Sequence, residues 1–457
     1  MQTMSLEDRL SQFPSPLDML WNIPAATYAM PMRTEYTNWR DEQRAWKDSA
    51  VLFDQSHHMT DVYFKGPDIR RLFTDLAVNT MKNFGRGRAK QFVACNHDGY
   101  VISDAILFGF ADDEWSLVGT PVAPNWVAFH AETGGYDVEV RRDERTVENG
   151  GRRLTFRYQL NGPATHAILE KARGGPVEHI PFFKLGEIEI AGCTMRALNH
   201  TMAGVPGREM TGLELVGPAE HGERVLDALR TAGAEFGMRE GGALSYTSTP
   251  YESGWIPNPL PAIYTGEAMK PYRQWLPGLG FEGFASVGGS YRGDRVEDYY
   301  VRPWDLGYGN MVRFDHDFIG RDALERAADR PHRRKVWLRW DDEDTAAAMR
   351  ASLFGCGGGD GSSDRAMPIG LPNANYVHFQ FDRLMREERM VGVSTFAGYT
   401  VNLGSVSSMG MVDEVDAVDG AEVTLVWGQE DGGVSKVFLP RHRQVGIRAT
   451  VRTSAPA

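Results

Sequence analysis

The sequence predicts an α+β fold: two units of sheet and helix over residues 50–330, then an all-β tail built as a barrel or a sandwich. Three observations carry this expectation. The runs TDVYF (60–64), VISDAILF (101–108) and WSLVG (115–119) have the composition and alternation of strands, with a helical pattern between the first two. A similar order of strands and helices returns after residue 150. Beyond residue 334 the chain falls into short strand-like runs broken by glycine. At 457 residues the chain is long enough for several folding units. The boundaries drawn are 1–150, 151–334 and 335–457.

Taken in order, residues 38–53 (NWRDEQRAWKDSAVLF) have the spacing of an amphipathic helix feeding a buried strand, and 67–78 (PDIRRLFTDLAV) that of a helix with proline at its first position. A strand over 154–160 leads through Asn161-Gly162-Pro163 into a helix. Strands near 187–199 and 212–215 precede a helix over 219–236. The tail offers strands at 335–340, 390–399, 407–412, 421–427 and 434–450. Residues 355–364 (GCGGGDGSSD) read as a mobile surface loop. Residues 246–276 hold Tyr246, Tyr251, Trp255, Tyr264, Tyr272 and Trp275 among five prolines, which argues against regular structure there. Such a segment suits the wall of a pocket for a flat ligand, or a satellite core under a long loop.

Composition narrows the function. Hydrophobic residues are 42% and charged residues 24% of the chain, a globular balance. Forty-nine basic against sixty-one acidic residues give a net charge of −12, which disfavours nucleic acid and anionic membranes as partners. No apolar run reaches membrane-spanning length, and the N-terminus lacks the marks of an export signal. Cys95, Cys193 and Cys356 are too few and too far apart for a disulfide framework or a thiolate zinc site. A cytoplasmic enzyme is expected. Phosphate-binding loops, dinucleotide fingerprints, nucleophile elbows and zinc-binding helices are missing from the sequence, so no metal, flavin or nicotinamide is expected.

Two kinds of residue stand out. His57 and His58 follow an apolar run; on an extended segment they would face opposite sides, so one at most enters a given pocket. Asp104 and Glu214 each interrupt an apolar strand, where a carboxylate needs a partner. Either acid could grip a heterocycle that offers adjacent N–H donors, or belong to a structural ion pair.

Taken with longer segments, these positions make the sequence resemble the tetrahydrofolate-dependent aminomethyltransferase family, the glycine-cleavage T-protein fold, and within it the aryl-ether O-demethylases acting on vanillate, 3-O-methylgallate and syringate. The likeness is carried by NWRDEQRAWKDSAVLFDQSHHM (38–59), HAETGGYDVEV (130–140), ESGWIPNPLPAIYTG (252–266), EDYYVRPWDLGYG (297–309) and FDHDFIGRDAL (314–324). The resemblance implies a T-protein-like three-part fold around a central folate channel, with a C-terminal β-barrel. It implies tetrahydrofolate as cofactor, with Glu214 and Gln159 on the pterin. Tyr246 and Trp255 would sit at the folate–substrate junction, His58 and Tyr28 in the aromatic pocket, and Asp104 facing the folate nitrogens. Tyr246, His58 and Asp104 are the implied catalytic groups.

Two departures bear on the substrate. Where vanillate-type demethylases carry a carboxylate-binding arginine, this chain has Thr120, and Met30 replaces a pocket tyrosine. Arg33 or Arg292 could substitute for the missing cation. Otherwise the pocket suits a neutral ether, and the expected reaction moves the methylene of a methylenedioxyphenyl lignan such as sesamin to tetrahydrofolate, giving a catechol and 5,10-methylenetetrahydrofolate. The alternative is O-demethylation of methoxyarenes of the vanillate, syringate or guaiacol type, giving 5-methyltetrahydrofolate. A folate binder without transferase activity is the third reading, and Tyr246 and Trp255 count against it.

Overall fold

The computed structural model describes residues 4–23, 30–150, 152–200, 210–257, 259–354 and 364–455. Strands Arg88–Cys95, Val101–Gly109, Glu114–Gly119, Thr60–Lys65 and Glu139–Asp143 form, in that order, a five-stranded antiparallel sheet. Helices Ile69–Leu76 and Val122–Thr133 belong to the same core, where Phe64, Phe73, Trp115 and Trp126 are buried. The second sheet has six strands, Arg239–Gly241, Val51–Asp54, Thr155–Asn161, Gly212–Pro218, Cys193–Asn199 and Leu185–Ile190, antiparallel except for the pair formed by the first two. Strand Val51–Asp54 therefore joins the second sheet from within the first third of the chain. The division at residue 150 separates the sequence but not the sheets. Their edges are stitched together where Ala89 N–H donates to the Phe183 carbonyl at 3.0 Å and Leu185 N–H to that of Gly87 at 3.1 Å.

The tail is a barrel. Strands Arg333–Trp340, Ser405–Asp413, Arg389–Thr400, Asp382–Arg386, Glu422–Trp427 and Val445–Arg452 close in that order, because Arg333–Trp340 pairs with both Ser405–Asp413 and Val445–Arg452. Closure leaves no free sheet edge. Strand Asp382–Arg386 and helix Asp342–Leu353 escape the sequence reading, and 434–444 carries no strand. The helix buries only Thr345 and Ala348, so its apolar face is too narrow to show a clear period. Its start is nevertheless written in the sequence: the Asp341 side chain accepts the Asp344 N–H, and three acids fill the first turn. Of the glycine-serine loop, residues 355–363 lie outside the described residues.

The proline-rich aromatic segment contains short helices, Ala243–Tyr246, Thr249–Ser253 and Lys270–Trp275, contrary to expectation. Pro250 and Pro271 stand in first turns, where a missing N–H costs no hydrogen bond. Helix Trp39–Asp48, capped by Asn38, braces this segment. Its fully buried Glu42 accepts from Gly242 N–H at 2.9 Å and from the Ser245 hydroxyl at 2.7 Å, fixing the helix that ends at Tyr246. Trp46 Nε1 donates to Glu252 at 3.1 Å, and Glu252 takes the Thr400 hydroxyl at 2.8 Å, tying segment and barrel together.

Barrel and segment also press together at Gly254. Its φ of +71° lies in the left-handed region, and an added Cβ would sit 1.8 Å from the Trp337 ring. Lys335 Nζ donates to its carbonyl at 2.9 Å. Gly254→Ala combines backbone strain with overpacking, each of order 1–3 kcal/mol, and a thermal melt should show a drop of that combined order. A midpoint within 1–2 degrees of the unaltered protein (about 0.5 kcal/mol) would show that the barrel does not press on this turn.

Candidate active site

Between the two sheets, the aromatic segment and the barrel lies a cavity of about 1030 Å³. The first sheet contributes Gln91, Asp104 and Val118 to its wall, the second His200 and Glu214, and the segment Tyr246 and Trp255. Phe396 and the approach to the barrel, including Asn375 and His378, close another side. At this volume the cavity has room for two small molecules side by side.

At one point of the wall, two side chains meet on a phenol. Gln55 Nε2 donates to the Tyr246 hydroxyl at 3.1 Å, and His58 Nε2 lies 3.1 Å from the same oxygen, its ring edge-on to the tyrosine. His57 and His58 stand on a turn rather than on extended chain, yet only His58 reaches the cavity; His57 Nδ1 contacts the Thr146 hydroxyl at 2.7 Å. Burial, reinforced by Arg153 and Arg157, pulls the His58 pKa down to about 3, so the ring is neutral at physiological pH.

Behind this point runs a buried ionic chain. Arg157, 2% exposed, donates to Asp61 Oδ2 at 2.7 Å through Nη2 and to Glu214 through Nη1. His200 Nε2 lies 3.0 Å from the other Glu214 oxygen and 3.2 Å from Gln159 Nε2. Gln159 Oε1 accepts from Gln55, which returns the chain to Tyr246. Burial alone would raise the Glu214 pKa; Arg157 and His200 outweigh it and hold the carboxyl at about 2. Glu214 is thus a structural ion-pair partner, one of the two roles the sequence left open, and it also stands on the cavity wall.

Asp104 forms a second cluster. Its Oδ2 accepts from Trp255 Nε1 at 3.1 Å, from Tyr308 at 2.9 Å and from Gln91. Its Oδ1 is buried without a hydrogen-bond partner among the described residues. Burial raises the Asp104 pKa against these three donors. An open acceptor on a buried cavity wall fits a ligand that brings an N–H, and a pterin is such a ligand.

Of the residues expected at the site, Tyr246, His58, Asp104, Glu214, Trp255, Met30 and Thr120 all line the cavity. Gln159 is fully buried one layer behind, holding Gln55. Tyr28 lies outside the described residues. Arg33 stacks on Tyr36 and Arg292 on Trp21, and neither is a wall residue. Lys90 and Arg313 are wall residues instead. Gln55, Arg157, Asp61, Gln91 and Tyr308 went unnoticed in the sequence.

Two mixed units and a barrel around one cavity, with ionised and open carboxylates at its wall and a hydrogen-bonded tyrosine beside them, suit a transferase that moves a group between two small molecules. The family model described as the GCVT N-terminal domain matches residues 18–257. The chain belongs to this tetrahydrofolate-dependent aminomethyltransferase family and is a methyl or methylene transferase with tetrahydrofolate as its one-carbon acceptor. It is 42% identical to a syringate O-demethylase from a Sphingobium species, across 98% of this chain and 95% of that protein. It is 28% identical to a sesamin methylene transferase from a Sinomonas species, across 86% of each. Among solved structures, aminomethyltransferase T of the glycine cleavage system from Bartonella henselae shares the fold, with a TM-score of 0.59 at 18% identity over 94% of this chain and 93% of that one. No helix among the described residues is long and apolar enough to cross a membrane.

The ionic chain predicts acid sensitivity. With Glu214 at about 2 in the folded state and near its ordinary 4.5 when unfolded, the unfolded chain binds the extra proton. This stabilisation is complete above pH ~4.5 and is lost as pH falls toward 2. His58 adds the same sign between pH 6.5 and about 3. Arg157→Met removes the guanidinium shared by two buried carboxylates and should cost about 3–5 kcal/mol at neutral pH. Denaturant titration across pH checks both, and a loss under about 1 kcal/mol would show that water already reaches the pair.

Proposed function

We propose that the protein is a tetrahydrofolate-dependent O-demethylase of methoxyarenes of the syringate type, giving 5-methyltetrahydrofolate and a phenol. The observation that carries this reading is the 42% identity to a syringate O-demethylase over nearly the whole chain. The cavity is compatible with it. Lys90 and Arg313 on the wall mean that Thr120 does not leave the cavity without cations, which weakens the case for a neutral lignan as the substrate.

In this reading Glu214 and Asp104 hold the pterin through its N–H groups, and Trp255, fixed by its bond to Asp104, separates pterin from arene. Transfer breaks the methyl C–O bond and forms N5–CH₃, so N5 loses one proton and the departing phenolate gains one. Tyr246 is the proton donor to that oxygen, with neutral His58 and Gln55 holding its hydroxyl in place. The rest of the wall excludes water from the reacting atoms.

Methylene transfer from a methylenedioxyphenyl compound is the second reading. Thr120 and Met30 on the wall favour it, because neither pairs with a carboxylate. Incubation with tetrahydrofolate and syringate, vanillate, guaiacol or sesamin, with folate products identified by mass, separates the two. 5-Methyltetrahydrofolate from syringate supports the first reading; 5,10-methylenetetrahydrofolate from sesamin alone replaces it with the second.

Tyr246→Phe should lower ether cleavage by about 10²–10⁴ while tetrahydrofolate affinity stays within about twofold. Turnover close to that of the unaltered protein would move the donor role to His58. Glu214→Gln keeps the shape but not the charge, and should weaken tetrahydrofolate binding about tenfold to a hundredfold. Unchanged affinity by titration in the folded variant would remove Glu214 from the pterin site.

A further inference from the structure

Resting on that reading, we infer that Gln55 is a positioning residue for the proton of Tyr246, and that Gln159 sets the direction in which Gln55 works. The two hydrogens of the Gln55 amide are both committed, one to Gln159 Oε1 and one to the Tyr246 hydroxyl at 3.1 Å. An amide nitrogen only donates, so the phenol oxygen accepts here. The phenol's own hydrogen must therefore point away from Gln55, which leaves it available to His58 Nε2 at 3.1 Å or to an ether oxygen bound in the cavity.

Were Gln55 turned over, its carbonyl would face the phenol and draw that hydrogen away from the substrate. Gln159 prevents the reversal, because a turned Gln55 would set two carbonyl oxygens against each other. The Gln159 amide nitrogen lies 3.2 Å from His200 Nε2, and that nitrogen holds it only in the tautomer that does not donate to Glu214, 3.0 Å away. All three side chains are buried, and Gln159 is fully so, behind the cavity wall, so it acts through Gln55 rather than on a bound molecule.

The test uses the full-length protein with tetrahydrofolate and the methoxyarene it turns over. Gln55→Met removes the donor at similar volume, and kcat should fall about tenfold to a hundredfold, part of what a positioned acid supplies. Gln159→Met should lower kcat with tetrahydrofolate affinity held within about twofold. A Gln159→Met variant that loses folate affinity and keeps kcat would make Gln159 a ligand contact and overturn this assignment.

Gln55→Glu gives the readout that mere packing would not move. Its carboxylate accepts from the phenol, and only its protonated form can donate, so the rate should rise as pH is lowered, a limb absent from the unaltered protein. A pH profile matching the unaltered protein, or Gln55→Met with kcat within about twofold, overturns the inference. If the unaltered protein cleaves none of the ethers, the proposed function fails on its own. The hydrogen bond can then be read without turnover from the Tyr246 ¹³Cζ resonance, assigned through Tyr246→Phe. That signal should move in Gln55→Met, and an unmoved signal overturns the inference.

Discussion

Arg157 is the side chain on which the rest of the site depends. It projects from strand Thr155–Asn161 of the second sheet, pairs with Glu214 on the neighbouring strand, and reaches Asp61 on strand Thr60–Lys65 of the first sheet. One guanidinium thus pins two sheets whose backbones meet at an edge. Its planar fork serves two carboxylates at once, which a lysine ammonium would do less well. Its guanidinium also lies 5.1 Å from the Phe108 ring centre, so the charge is enclosed by an aromatic face as well as by acids. Such a pair contributes little net stability against an apolar replacement. Its value is geometric: it holds a carboxylate ionised and in place on the wall of a mostly apolar cavity.

From that pin outward, each reactive group is held by something buried behind it. Gln159 follows Arg157 by two residues, on the same face of the same strand, and carries the chain to Gln55 and Tyr246. Tyr246 ends a helix of a single turn that could not persist alone; Glu42 on helix Trp39–Asp48 binds its start. Asp104 is held by Gln91, Trp255 and Tyr308, and the turn preceding Trp255 is pressed by Trp337 of the barrel. The barrel therefore acts on the cavity through Gly254 and Lys335 as well as by covering it.

Much of this was legible in the sequence, and the gaps have physical causes. The period-two runs gave most strands of both sheets, while Arg88–Cys95, Glu139–Asp143 and Arg239–Gly241 went unread. The solitary acids Asp104 and Glu214 stood out because charge is rare in such strands. Arg157 was missed although it belongs to a readable pattern: in Thr155–Asn161 the residues at 157, 159 and 161 are arginine, glutamine and asparagine, an alternating polar face between apolar residues. All three are buried, so that face looks inward at a site rather than out at water. Gln55 offered no such signal, since one glutamine in a turn is ordinary until the fold sets it against a tyrosine 191 positions away. The short helices of the aromatic segment were hidden by their prolines, which break a helix in its interior and are harmless in its first turn.

The arrangement separates the chemistry from the choice of substrate. Glu214, Gln159 and Asp104 are on strands, and Gln55, His58 and Tyr246 are bound to one another; none can change alone without leaving a buried polar group unsatisfied. Thr120 and Met30 stand differently. Thr120 follows the last residue of strand Glu114–Gly119, and Met30 lies outside regular structure and packs against the Tyr246 cluster. In the proposed reading, changing the size or charge of either alters what the cavity admits while the chain behind Tyr246 keeps its bonds. In the proposed reading this is why an arginine is dispensable at position 120. The cation that meets a carboxylate need only reach the cavity from some part of the wall, whereas the proton donor must stand at one oxygen, held there from behind.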